Sequence, residues 1–99
     1  MTLSQAREAI DRLDREIVKL MADRLAVVDG ISDYKATHNL PVHDPAREAQ
    51  VIARLTAECA DGFQEDIATL YQRLFEISRQ RQERRRAAAS PPRIDQDSR

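Results

Sequence analysis

The chain is poor in the residues that small folds use as staples and corners. It has one cysteine, two glycines and no tryptophan, and its aromatic content is 4%. The lone Cys59 excludes an internal disulfide and fits a reducing compartment. So few glycines and aromatics favour helices over sheets. No apolar run approaches the ~20 residues that a membrane span requires. The stretch from Met1 to Glu8 lacks the apolar core of a signal peptide, so a cytoplasmic location is expected. The net charge of −1 supplies no global field to attract nucleic acid. His38 and His43 stand five apart, with the only cysteine elsewhere, which is not a metal-ligand spacing. Neither a glycine-rich phosphate loop nor a nucleophile motif occurs. The expectation is therefore no metal, no cofactor, no membrane and no nucleic acid. Arg79, Arg81, Arg84, Arg85 and Arg86 resemble a nucleic-acid patch, but no aromatics interleave with them for base stacking. They also suit the end of a helix, where cations meet the negative pole of the dipole.

Charged residues make up 33% of the chain, and they are arranged around helical stripes. Ninety-nine residues fit one domain with a modest core. Ile10, Leu13, Ile17, Leu20, Val27 and Ile31 recur at helical spacing, in a segment from about Ser4 to Ala36 that Thr2 or Ser4 can cap. A helix of that length is about 50 Å long. A compact domain of this size has a radius of gyration of about 13 Å. The helix would overhang its own domain and leave an apolar stripe in water, so a second copy of the chain is expected to cover it. Residues 38–43 read as a loop. Asp44-Pro45 restarts a helix, with aspartate as cap and proline in the first turn. That helix buries Val51, Ile52 and Leu55 and fades by Ala60. Asp61-Gly62 marks a turn. A third helix from Gln64 to about Arg86 turns Ile67, Leu70, Tyr71, Leu74 and Phe75 inward. The fold class is all-α, with three helices in a domain over residues 1–89. Residues 90–99, with Pro91 and Pro92, read as a disordered tail.

Each stripe is interrupted by a polar group. Arg24 stands where the first stripe should carry an apolar residue between Leu20 and Val27. Burying a guanidinium there is costly unless an anion meets it. Lys35 lies eleven residues on, three turns along, and projects from the same side. Glu48 lies one turn before Ile52, and Ser78 and Gln82 extend the stripe of the third helix. The pattern describes a polar pocket inside a helical bundle, with surplus positive charge for an anionic ligand. Taken singly, these residues have plainer readings. Asp44 is a helix cap, Glu48 a first-turn acid, and Arg24 a residue that could snorkel to water. Arg7 lies seventeen residues from Arg24, roughly 25 Å along the helix. The two meet at one small ligand only across an antiparallel dimer.

In this order the residues resemble the all-helical chorismate mutase family. Ala6-Arg7-Glu8-Ala9-Ile10-Asp11 is similar to the opening of that family, whose arginine reaches into the partner's site. Ala22-Asp23-Arg24, followed by Lys35, resembles its first-helix cation pair. Leu40-Pro41-Val42-His43-Asp44-Pro45-Ala46-Arg47-Glu48 resembles its loop and second-helix start, and Ser78 through Gln82 the end of its site. The resemblance implies an intertwined homodimer and a cofactor-free isomerase. Its reaction would be the rearrangement of chorismate, a dianion, to prephenate in aromatic amino-acid biosynthesis. It implies that Arg24 and Ser78 take the ring carboxylate, and that Lys35 and the partner subunit's Arg7 take the side-chain carboxylate. Lys35 and Gln82 would donate to the ether oxygen. Glu48 would accept from the hydroxyl with help from the Asp44 backbone. Arg47 would orient these acids, and Ile31 and Phe75 would form apolar walls.

Three alternatives stand beside this. An isochorismate pyruvate-lyase shares the fold, but the acid matching Glu48 is not kept in that group. A mutase of 4-amino-4-deoxychorismate would use Glu48 to accept from an ammonium. A non-catalytic helical dimerisation module predicts apolar or freely exposed residues at the polar positions and leaves Arg24 unexplained.

Overall fold

A computed structural model describes residues 1–89 and contains three helices: α1 (Leu3–Thr37), α2 (Pro45–Glu58) and α3 (Gln64–Ala89). The tail assigned to residues 90–99 lies outside the described residues. α1 starts at a capping box. The Thr2 hydroxyl accepts from the Gln5 amide at 3.0 Å, and the Gln5 side chain accepts from the Thr2 amide at 2.8 Å. Its other end is closed by Asn39 in the left-handed region (φ 55°). There the Leu40 amide donates to the Lys35 carbonyl at 2.8 Å and the Asn39 amide to that of Ala36 at 3.3 Å. That turn sends the chain back beside Lys35. α2 is capped by Asp44, whose carboxylate accepts from the Arg47 amide at 3.1 Å, with Pro45 in its first turn. Gly62 (φ 93°) supplies the backbone reversal before α3. α3 runs one turn beyond the Arg86 expected from the periodicity.

α3 lies between the other two helices and packs on both. Its contact with α1 does not use the stripe that the periodicity singled out. The buried residues of α1 are Val28 and Ser32, whereas Ile10, Leu13, Ile17, Leu20 and Val27 face out from the single chain and Ile31 stays 46% exposed. Leu70, expected inside, is 63% exposed. Val28, Val51, Leu74 and Phe75 are the only buried apolar side chains among the described residues. The radius of gyration is 18.8 Å, well above the ~13 Å of a compact chain of this length. The first half of α1 thus extends past the packed part of the chain with its apolar row uncovered.

The arginines of α3 also have work that helix dipoles do not describe. Arg81 grips Asp29 in a two-pronged pair (2.7 and 2.8 Å), and Arg85 grips Asp33 (2.9 and 3.0 Å). These pairs set the register of α3 on α1. The Arg81 hydrogen bond holds the Asp29 carboxyl below its ordinary value of 3.8, and the Arg85 hydrogen bond does the same for Asp33. A depressed carboxylate stabilises the fold above its unfolded pKa and loses that contribution as pH falls through the folded value. Arg81→Gln should therefore lower Tm slightly at neutral pH, because the pair faces solvent. The difference should shrink in acid, as pH falls below 3.8 and through the lowered value of Asp29. Melting curves of parent and variant at neutral pH and in acid check this. A difference that persists in acid would assign Arg81 to packing.

Candidate active site

The face of α1 that meets α3 runs Arg24, Val28, Ser32 and Lys35, in steps of four, four and three. α3 meets it with Phe75, Ser78, Arg79 and Gln82, which share one face. The start of α2 closes the third side with Asp44, Arg47 and Glu48. All of these but Ser32 line a cavity of about 310 Å³, the size of a small-molecule site. Ile31 and Phe75 line it as well. A larger, more open groove of about 520 Å³ lies where Leu40 and Pro41 meet the last turns of α3, but among the described residues Arg86 is the only ionisable one lining it.

Three cations of the smaller cavity, Arg24, Lys35 and Arg47, have no carboxylate against them among the described residues. Arg24 is half-buried and its Nη1 donates to the Ser78 hydroxyl at 3.1 Å. Its guanidinium carbon lies 5.7 Å from the Phe75 ring centre and 5.9 Å from that of Tyr71. This is cation–π range, and it steers the flat group without neutralising it. The Lys35 ammonium donates to the Val42 carbonyl at 2.9 Å and to Gln82 Oε1 at 3.4 Å. Neither Arg24 nor Lys35 enters an ion pair among the described residues. Ammonium groups only donate, so Lys35 fixes the amide of Gln82 with its oxygen toward the lysine and its NH₂ as the free donor end. Gln82 and Ser78 are 7% and 5% exposed, so polar groups are buried here in the seam itself. Ser32, 1% exposed, was not foreseen from the sequence; its small side chain lies against α3 and its hydroxyl reaches the Gln82 carbonyl at 3.5 Å.

Glu48, also in the lining, is held differently from expectation. The Arg47 guanidinium donates to Gln50 Oε1 at 3.1 Å. The residue on Glu48 is Arg79, whose Nη1 lies 2.6 Å from each carboxylate oxygen. His43 Nε2 stands 3.8 Å from the same carboxylate. The available signal for Arg79 was its position, one residue after Ser78 and three before Gln82. Arg7 is exposed and does not line the cavity of its own chain. No group of three His, Cys, Asp or Glu side chains among the described residues could hold a metal ion. No helix among them is long and apolar enough to cross a membrane.

A family model described as chorismate mutase type II matches residues 6–83, a span that starts just before Arg7 and ends just after Gln82. The chain belongs to the chorismate mutase type II family. It is 35% identical over 78 residues to the bifunctional chorismate mutase/prephenate dehydratase of Aquifex aeolicus, covering 74% of this chain and 22% of that protein. It is 42% identical over 60 residues to the T-protein of Haemophilus influenzae, covering 59% of this chain and 16% of that one. Against the chorismate mutase of Methanocaldococcus jannaschii it is 30% identical over 59 residues, covering 60% of each. The chain spans less than a quarter of the first two relatives. No solved structure gives a significant match.

Proposed function

We propose that the protein is a chorismate mutase that rearranges chorismate to prephenate as a homodimer, without metal or cofactor. The observation that carries this reading is the pair of unneutralised cations, Arg24 and Lys35, facing one small cavity that also holds a carboxylate, Glu48. Such a cavity suits a dicarboxylate that also carries a hydroxyl. Arg24 with Ser78 binds the ring carboxylate. Lys35 binds the side-chain carboxylate together with the partner subunit's Arg7. The exposed apolar row of α1 supports the dimer, because a second copy would cover it and carry its own Arg7 toward the site.

The reaction moves the enolpyruvyl group across the ring in one step. The ether C–O bond breaks as a new C–C bond forms, and no proton is transferred. Two effects are then open to the protein. One is to hold the flexible substrate in its chair-like reactive form, which clamps on both carboxylates and on the hydroxyl achieve. The other is to stabilise negative charge growing on the ether oxygen, which falls to the Lys35 ammonium and the NH₂ of Gln82. Glu48 accepts from the substrate hydroxyl beside the Asp44 cap, and Ile31 and Phe75 keep the ring out of water. A non-catalytic dimerisation module gives no reason for these polar groups to converge on one cavity.

The test is the loss of chorismate absorbance with purified protein at about pH 7.5 and the appearance of prephenate. The parent should turn over, and Arg24→Ala should lose at least about 10² in kcat/KM, the cost of one buried charged anchor. Its Tm should stay close to that of the parent, since Arg24 has no ion pair to lose. An inactive parent would overturn the reading. An unfolded Arg24→Ala chain would make Arg24 a structural residue.

A further inference from the structure

The contact between Arg79 and Glu48 bears on which substituent the cavity accepts. Glu48 is the only acid of the cavity gripped by a side-chain cation, through two contacts of 2.6 Å, and the groups involved are largely shielded, at 26% and 21% side-chain exposure. The lining carries four cations, Arg24, Lys35, Arg47 and Arg79, against two acids, Asp44 and Glu48. Within one chain the surplus is two positive charges, and the partner subunit's Arg7 would raise it to three, a site that suits two carboxylates and disfavours a further cation. A carboxylate already paired with a guanidinium still has lone pairs to accept a hydroxyl proton. It is a poor partner for an ammonium, which would have to sit beside the Arg79 cation.

Resting on the mutase reading above, we propose that Arg79 is a positioning and specificity residue. By holding and neutralising Glu48 it makes the site select a ring hydroxyl over a ring ammonium, so that chorismate is taken and its 4-amino analogue refused. The discrimination has an attractive and a repulsive part. Arg79 presents the Glu48 oxygens at the place where the hydroxyl arrives, and its charge repels the amine. Without the guanidinium, Glu48 keeps only His43 Nε2 at 3.8 Å, and its anion then suits the ammonium better than the hydroxyl.

The experiment measures kcat/KM of the parent, Arg79→Gln, Arg79→Met and Arg79→Lys with chorismate and with the 4-amino analogue at one pH. The parent should favour chorismate by at least about tenfold. Either neutral variant should move that ratio at least about tenfold toward the amine, by losing rate on chorismate and gaining it on the analogue. Arg79→Lys, which keeps the charge and loses the fork, should retain the preference while its kcat on chorismate falls. Arg79 acting only as a structural brace would lower both rates together and leave the ratio fixed, which overturns the proposal. A parent that prefers the amine overturns it without any variant. A parent that turns over neither compound overturns the mutase reading instead, so the two failures are distinct.

Discussion

Gln82→Glu is expected to turn an enzyme with a nearly flat pH profile into one that works only in acid. Gln82 is almost fully buried, and Lys35 holds its amide oxygen at 3.4 Å, which leaves the NH₂ free for the proposed donation to the ether oxygen. An amide donates at any pH. A glutamate donates only when protonated; once ionised it repels the charge growing on the ether oxygen. It would also draw Lys35 into an ion pair and away from the substrate. Loss of one such donor costs about 10²–10³ in rate, so the deficit at neutral pH should be at least that large. Burial raises the new acid's pKa while Lys35 lowers it, so the direction of the profile is firm and its midpoint is left to measurement. Rates on chorismate from pH 4 to 8 (about the window in which a carboxyl titrates) decide the matter. Activity should climb steadily as pH falls. Parental turnover at pH ~8 would remove Gln82 from the chemistry.

The second large effect is a recovery of activity. Arg7→Ala and Lys35→Ala should each be nearly inactive as pure homodimers, because each removes a cation from the same carboxylate. Mixed after unfolding and refolding, they form heterodimers in which one site takes its Lys35 and its Arg7 from intact positions, while the other site lacks both. With random pairing half of the dimers are mixed, so about a quarter of the sites should work. The reason to expect this is geometric. Arg7 is exposed at the far end of α1, roughly 25 Å along the helix from Arg24, and does not line its own chain's cavity. Mixtures shown to contain heterodimer but lacking activity would place both residues in one chain's site or remove Arg7 from it.

Much of this was legible in the residues. Thr2 and Asp44-Pro45 are local caps and helix starts, and their hydrogen bonds close within three residues, so sequence suffices to read them. Arg24 and Lys35 share a side of α1 because eleven residues make three turns, a spacing that survives whatever packs against the helix. Other assignments failed for an equally physical reason. Leu20 and Val27 looked like the inward face of α1, yet Val28, next to Val27, and Ser32 are the residues against α3. One step on a helix is about 100°, so two adjacent apolar rows are nearly equivalent in periodicity alone. A chain that covers one row with its own helix and, as proposed, the other with a second copy displays both.

The sequence by itself therefore determined the number and type of helices, the polar groups set into their buried faces and the excess length of α1. Capping, period and rise per residue are local properties. The tertiary structure decided which row of α1 faces α3, that Arg79 rather than Arg47 holds Glu48, and that Arg81 and Arg85 are spent on Asp29 and Asp33. These partners lie 31 and 52 positions apart in the chain. Which arginine of α3 reaches which acid depends on the rotation and offset of one helix against another, and those are set by packing, not by any local run of residues.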